Sequence, residues 1–182
     1  MITKLVILDR DGVINVDRPD HVKSPDEWAP IPGSLEAITR LNQAGYRVVV
    51  ATNQSGVGRG LLDIETLNLV HVRMLRQLAE VGGTIESIFF CPHTPRDRCP
   101  CRKPRPGLLL DIAERLRVPL AEVPVVGDRA RDLEAAVRAG GRPVLVLTGN
   151  GESTAKTGPL PPGTTTHASL ESFVSVLVAG EP

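Results

Sequence analysis

The chain has 182 residues, enough for one domain with a full core, and its apolar content (41% hydrophobic, 3% aromatic) must come from Val, Leu, Ile and Ala. Lys plus Arg equals Asp plus Glu at 21 each, so no global field draws the protein to nucleic acid or to an anionic membrane. There is no run near the ~20 apolar residues of a membrane span and no signal-peptide pattern, and three cysteines do not suit a secreted disulfide framework, so a cytoplasmic protein without nucleic-acid or membrane partners is expected.

Strand-like runs recur at 4–8, 46–51, 85–90, 123–127 and 143–148. Helical patterns lie between them. The stretch "SLEAITRLNQAG" carries Leu35, Ile38 and Leu41 on one face, with Ser34 as the expected N-cap and Gly45 as the stop. The next starts at Asp63, turns Leu67, Val70, Met74, Leu75 and Leu78 inward and stops at Gly82. "GLLLDIAERLR", "ARDLEAAVRAGG" and "SLESFVSVLVAG" complete the series. Regular alternation predicts a doubly wound, three-layer α/β/α sandwich with a central parallel sheet, formed by residues 1–182 as one domain. Two stretches are irregular: the proline-rich 13–33, for which Trp28 is the expected anchor, and the Gly/Pro/Thr segment 149–167, read as a loop. A monomer is expected because no helical pattern shows a spare apolar face.

In open α/β sheets ligands sit outside the carboxyl ends of the strands. The first strand ends at Asp9 and Asp11, the second at Thr52 and Asn53, the third at a cysteine loop closing on Arg102 and Lys103, the fourth at Asp128 and Asp132. Asp9 and Asp128, brought together, call for a hard cation such as Mg²⁺, which favours phosphate oxygens. Thr52, the turn "NQSG" and Lys103 would receive the phosphate. Asp9 could attack phosphorus, with Asp11 moving the protons. Each motif alone has a bland reading as a cap, turn or solvated charge; coincidence at four strand ends is what argues for chemistry.

The loop 91–103 holds every cysteine. Cys91, His93, Cys99 and Cys101 form a Cys₃His set suited to tetrahedral Zn²⁺ with no open position, hence structural. Zinc would clamp a proline-rich connection and hold Arg102 and Lys103 in place. His71 is read as a surface or boundary residue, and His21 and His167 as loop residues; none is given a catalytic role.

Taken in order, "LDRDGVIN", "TNQSG", "RKPRPG" and "GDRARD" resemble the four motifs of the haloacid dehalogenase (HAD) superfamily of phosphohydrolases, over residues 5–132. That resemblance implies a HAD-like Rossmannoid fold, Asp9 as nucleophile and Asp11 as general acid/base. It implies Mg²⁺ on Asp9, the Asp11 carbonyl and Asp128, with Thr52 and Lys103 on the phosphoryl group and Asp132 in support. No large cap domain is expected, since the first insertion is short and the second is the zinc loop. Within the superfamily, "DRDGVINVD", "TNQSGVGRG" and "CPH…CPCRKPRPG" look like the heptose-bisphosphate 7-phosphatases of bacterial heptose and lipopolysaccharide biosynthesis. By that likeness Asp17, Arg18, Pro19 and Asp20, Thr52, Asn53, Gln54 and Ser55, with Arg102, Lys103 and Arg129, would contact a small phosphosugar. Histidinol-phosphate phosphatases share the motifs and the short zinc loop and stay open as an alternative. A polynucleotide phosphatase is disfavoured by the neutral charge. A catalytically dead binding module is disfavoured because both aspartates are present.

Overall fold

The computed structural model describes residues 4–180. Its strands are β1 (Leu5–Leu8), β2 (Arg47–Asn53), β3 (Ser87–Cys91), β4 (Pro124–Gly127), β5 (Arg142–Val146) and β6 (Thr165–His167). All pair in parallel, in the order β3-β2-β1-β4-β5-β6. The central strands read as unbroken aliphatic runs because both faces are covered. Leu5 and Ile7 turn to one side, against Leu109 and Ile112 of α4 (Gly107–Leu116) and Ala135 and Ala136 of α5 (Ala130–Arg138). Val6 and Leu8 turn to the other, against α1 (Ser34–Gln43), α3 (Ile64–Glu80) and α7 (Leu170–Ala179). Two short helices, α2 (Ser55–Gly58) and α6 (Gly151–Thr157), lie just past β2 and β5. The expected three-layer sandwich is present.

Strand order reverses between β2-β1 and β4-β5, so the crevice opens beside β1 and β4. Leu8 is level with both Val50 and Val126, which brings the ends of β1, β2 and β4 to one edge. The 13–33 excursion folds back on itself: Val16 N–H donates to Ala29 O (2.9 Å) and Ile31 N–H to Ile14 O (2.9 Å). Val13, Ile14, Val22 and Trp28 bury into the core and anchor it, and among the described residues no large cap is inserted.

Several expectations need correction. Ser34 is not the cap but the first helical residue; Gly33, at φ 81°, takes the cap position while the Ser34 hydroxyl donates to Ile14 O (2.6 Å). Asp63 does cap α3, accepting from Thr66 N–H (2.7 Å). On α3, Leu75 faces outward, and Ile64, Val72 and Leu75 leave an exposed apolar strip, which removes the premise behind the expected monomer. His71, expected near the surface, is only 6% exposed. Segment 149–167 is not one loop: it contains α6 and the sixth strand, and Asn150 near its start, with Thr148 just before it, bonds to the site. Among the described residues no helix is long and apolar enough to cross a membrane.

Candidate active site

Asp9 follows β1 directly and is almost wholly buried. Its Oδ1 accepts from Arg10 N–H (2.8 Å) and lies 3.2 Å from Lys103 Nζ. Lys103, also buried, reaches Asp132 Oδ1 at 2.7 Å and donates to Ala51 O at 2.8 Å. Carboxylate oxygens of Asp9, Asp128 and Asp132 all lie within 4.8 Å of one another. Burial pushes the Asp9 carboxyl up from its ordinary range; Lys103 pulls it down, and Asp132 and Asp128 push it up again. Burial acts against the Lys103 ammonium too, but Asp132 and Asp9 outweigh it and raise its proton affinity. Three carboxylates against one ammonium leave a formal shortfall of two positive charges inside this cluster.

A divalent cation is what that shortfall fits, and Asp128 supplies the test. Its Oδ2 accepts from Asn150 N–H (2.8 Å), whereas its buried Oδ1 has no hydrogen-bond partner. A buried carboxylate oxygen without a donor is costly unless a cation completes it. The backbone is shaped around this group. Gly12 (φ +83°) and Gly149 (φ +58°) approach so closely that a Cβ on either would sit 2.1 Å or 2.4 Å from Asp128 Oδ2. The donor set is all oxygen, as Mg²⁺ requires. Asp132 is otherwise engaged, since Oδ1 meets Lys103 and Oδ2 accepts from Arg129 N–H (3.0 Å).

Thr52, at the end of β2, accepts from Gln54 Nε2 (2.9 Å), which leaves its own hydroxyl proton to donate. Gln54 Nε2 also donates to Asp11 Oδ2 (2.8 Å). Asp11 further accepts from Asn15 Nδ2 (2.9 Å) and from Arg10, whose Nη2 lies 2.9 Å from Oδ1 and 3.1 Å from Oδ2. Burial works against the Asp11 anion, but Arg10 and these hydrogen bonds win and hold its carboxyl below the usual range. Asn53 and Lys103 bond reciprocally: Asn53 Nδ2 donates to Lys103 O and Lys103 N–H to Asn53 Oδ1, both at 3.1 Å. Ser55 opens α2 and is buried. Asp17 accepts from Arg129 Nη2 (2.7 Å) and Asn150 Nδ2 (2.9 Å) at the rim of an open cavity of about 620 Å³ that Pro19, Thr148 and Gly149 also line. Arg18 and Asp20 lie outside that rim and pair with each other at 3.5 Å. Arg102 donates to His93 O (3.1 Å).

The zinc ligands meet as a cluster. Cys91 Sγ lies 3.6 Å from Cys99 Sγ and 3.2 Å from Cys101 Sγ, and Cys99 and Cys101 are 3.5 Å apart. His93 Nδ1 stands 3.6 Å from Cys91 and 3.4 Å from Cys101. Metal–sulfur bonds of ~2.3 Å in a tetrahedron give edges of roughly this length. Burial and the neighbouring Cys101 push the Cys91 thiol up, so its thiolate form calls for a cation at the centre. All three cysteines are free of disulfides. The clamp is tied to β2 and α2, because Gln54 N–H donates to Cys91 O (2.8 Å) and Gly58 N–H to Pro92 O (2.9 Å).

Sequence reading gave no role to Arg10, Asn15, Arg131, Thr148 and Asn150, and placed His71 at the surface where the structure buries it. Arg10 sits between two motif aspartates and could have been read as their missing counter-charge. Arg131 was visible only as one more basic residue after the fourth strand, yet its charge acts on both Asp9 and Lys103. Thr148 and Asn150 follow β5, a strand end left unread.

A HAD-hydrolase-like family model matches residues 100–172. The D-glycero-β-D-manno-heptose-1,7-bisphosphate 7-phosphatase of Bordetella bronchiseptica is 56% identical over 175 residues, covering 96% of this chain and 98% of the relative. The enzyme of the same name from Pseudomonas aeruginosa is 50% identical, covering 98% and 99%. A crystal structure of D,D-heptose 1,7-bisphosphate phosphatase from B. bronchiseptica, complexed with magnesium and phosphate, superposes with a TM-score of 0.97 at 55% identity, covering 98% of this chain and all of that one. With the parallel sheet, the acidic cluster and the Cys₃His clamp, these likenesses place the chain in the heptose-1,7-bisphosphate 7-phosphatase family of HAD-like phosphoric monoester hydrolases.

Proposed function

We propose that this protein is a Mg²⁺-dependent phosphatase that removes the 7-phosphate of D-glycero-β-D-manno-heptose 1,7-bisphosphate and releases heptose 1-phosphate. The observation that carries the chemistry is the buried cluster of Asp9, Asp128, Asp132 and Lys103, two positive charges short, beside the Thr52 hydroxyl. Relatives at 50% identity and above, named for the β-anomer of heptose bisphosphate, favour that substrate over histidinol phosphate.

In this reading Asp9 attacks phosphorus in line with the scissile P–O bond, forming an aspartyl-phosphate. Asp11 gives a proton to the departing sugar oxygen and then takes one from the water that releases phosphate. Lys103 and Thr52 hold the transferring phosphoryl oxygens. Magnesium bound by Asp9, the Asp11 carbonyl and Asp128 would supply the charge that lets an anionic nucleophile approach a phosphate dianion. Asp132 holds Lys103, and Gln54 and Asn53 hold Asp11 and the Lys103 backbone respectively. Asp17 to Asp20, Ser55, Arg102 and Arg129 are the proposed contacts to the sugar and its second phosphate. One domain, 1–182, contains the whole site, so a monomer is the proposed active unit, and cytoplasm the proposed compartment.

Steady-state kinetics with Mg²⁺ test this. A kcat/KM for heptose 1,7-bisphosphate well above that for histidinol phosphate is expected; the reverse order would overturn the substrate and leave the chemistry standing.

A further inference from the structure

Arg10 has no solvent exposure and His71 only 6%, although both are polar and one is a permanent cation. Burying an arginine is tolerable only with partners that satisfy its guanidinium. Arg10 has three. Nε and Nη2 grip Asp11, with Nε to Oδ1 at 3.2 Å; Nη2 also reaches Gln54 Oε1 at 3.2 Å; Nη1 meets His71 Nε2 at 3.3 Å. A guanidinium can only donate, so Nε2 of His71 is the acceptor and the ring is neutral with its proton on Nδ1. Burial and the facing Arg10 keep it so, lowering its pKa to about 4. The ring sits on α3 and tilts against Phe90 of β3. A helix on one face of the sheet thus fixes the guanidinium that aims a carboxylate at its carboxyl edge.

We infer that Arg10 and His71 are positioning residues that hold the Asp11 carboxylate in place to receive the proton of the attacking water. This rests on the proposed role of Asp11. In that half-reaction water oxygen bonds to phosphorus, the bond between phosphorus and Asp9 breaks, its electron pair returns to the Asp9 carboxylate, and the water proton passes to Asp11. Arg10, Asn15 and Gln54 all donate to the Asp11 carboxyl oxygens, and a group that must meet an incoming water needs that fixed aim. Departure of a good leaving group needs no proton from Asp11, so the two halves can be separated.

The test uses the full chain with Mg²⁺ and 2,4-dinitrophenyl phosphate, in rapid mixing. His71→Leu removes the acceptor and His71→Gln restores one. For His71→Leu, kcat is expected to fall by about tenfold, a fraction of a typical general-base contribution. Its kcat/KM should fall much less, and a burst of dinitrophenol should appear, stoichiometric with enzyme. His71→Gln should recover most of kcat and lose the burst, which a merely structural role for the ring would not produce. Equal losses in kcat and kcat/KM without a burst, or wild-type kinetics in His71→Leu, would overturn the inference. Asp11→Asn is the control: a burst there with none in His71→Leu condemns only the positioning role, whereas no burst in Asp11→Asn removes the Asp11 role and this inference with it.

Discussion

Asp128 is wedged between two glycines with one oxygen unmatched, and burial together with Asp132 pushes its carboxyl up to about 6. Without metal, the folded state therefore binds a proton that the unfolded chain has released between roughly pH 4 and 6. Stability from that proton is full below this window and lost as pH rises through it. In EDTA at pH 8, Asp128→Asn should be more stable than the parent by on the order of 3 kcal/mol. At pH 5 the gap should narrow. Added Mg²⁺ should raise the parent's melting temperature and leave the variant's nearly unmoved, since only a binding-competent folded state gains from ligand. Differential scanning calorimetry at the two pH values checks both. Gly149→Ala should act on the same oxygen: its Cβ would lie 2.4 Å from Oδ2 at a φ of +58°. Weaker Mg²⁺ activation, seen as a higher half-saturating metal concentration, is expected.

Among the elements, the Cys₃His loop is where stability and activity are expected to be coupled. Its first ligand ends β3, and its last, Cys101, is followed by Arg102 and Lys103. Its own regular structure is one short 3-10 turn at Pro95–Asp97, and Pro92, Pro95 and Pro100 donate no backbone hydrogen bonds. Cys101→Ser should lower the melting temperature and reduce kcat, because Lys103 loses its fixed place beside Asp9. Zinc content by atomic absorption beside kcat tells the outcome; full activity in a zinc-free variant would contradict the coupling. This element was legible because ligand chemistry is written in residue type. The four strand ends were legible for a similar reason, as aliphatic runs that stop at polar residues. By contrast β6, "TTH", carries no apolar alternation, is mostly exposed and sits at the edge of the sheet, so nothing local marks it as a strand. His71 was misjudged because a buried polar residue on an amphipathic helix is explained only by its distant partner, Arg10. Leu75 was misjudged because neighbouring Met74 already fills the inward position on that turn.

At the scale of the whole molecule, a neutral chain conceals an unevenly charged interior. Formal charge sums to zero over the chain, yet in the crevice three carboxylates crowd about a single ammonium, with Arg129 and Arg131 acting on them from beside the cluster. Folding supports that deficit with two apolar clusters, one on each face of the sheet, and leaves a divalent ion and a phosphate to complete it. Composition could show the neutrality but not the imbalance, which exists only once the ends of β1 and β4 meet the loop that follows β3.

The most direct measurement is to find where the phosphoryl group goes. Asp11→Asn enzyme, mixed with Mg²⁺ and 2,4-dinitrophenyl phosphate, whose leaving group needs no proton from Asp11, quenched in acid and digested, should yield the peptide containing Asp9 with one added phosphoryl group on that side chain. Phosphate carried on another residue, or hydrolysis persisting undiminished in Asp9→Asn, would contradict the account.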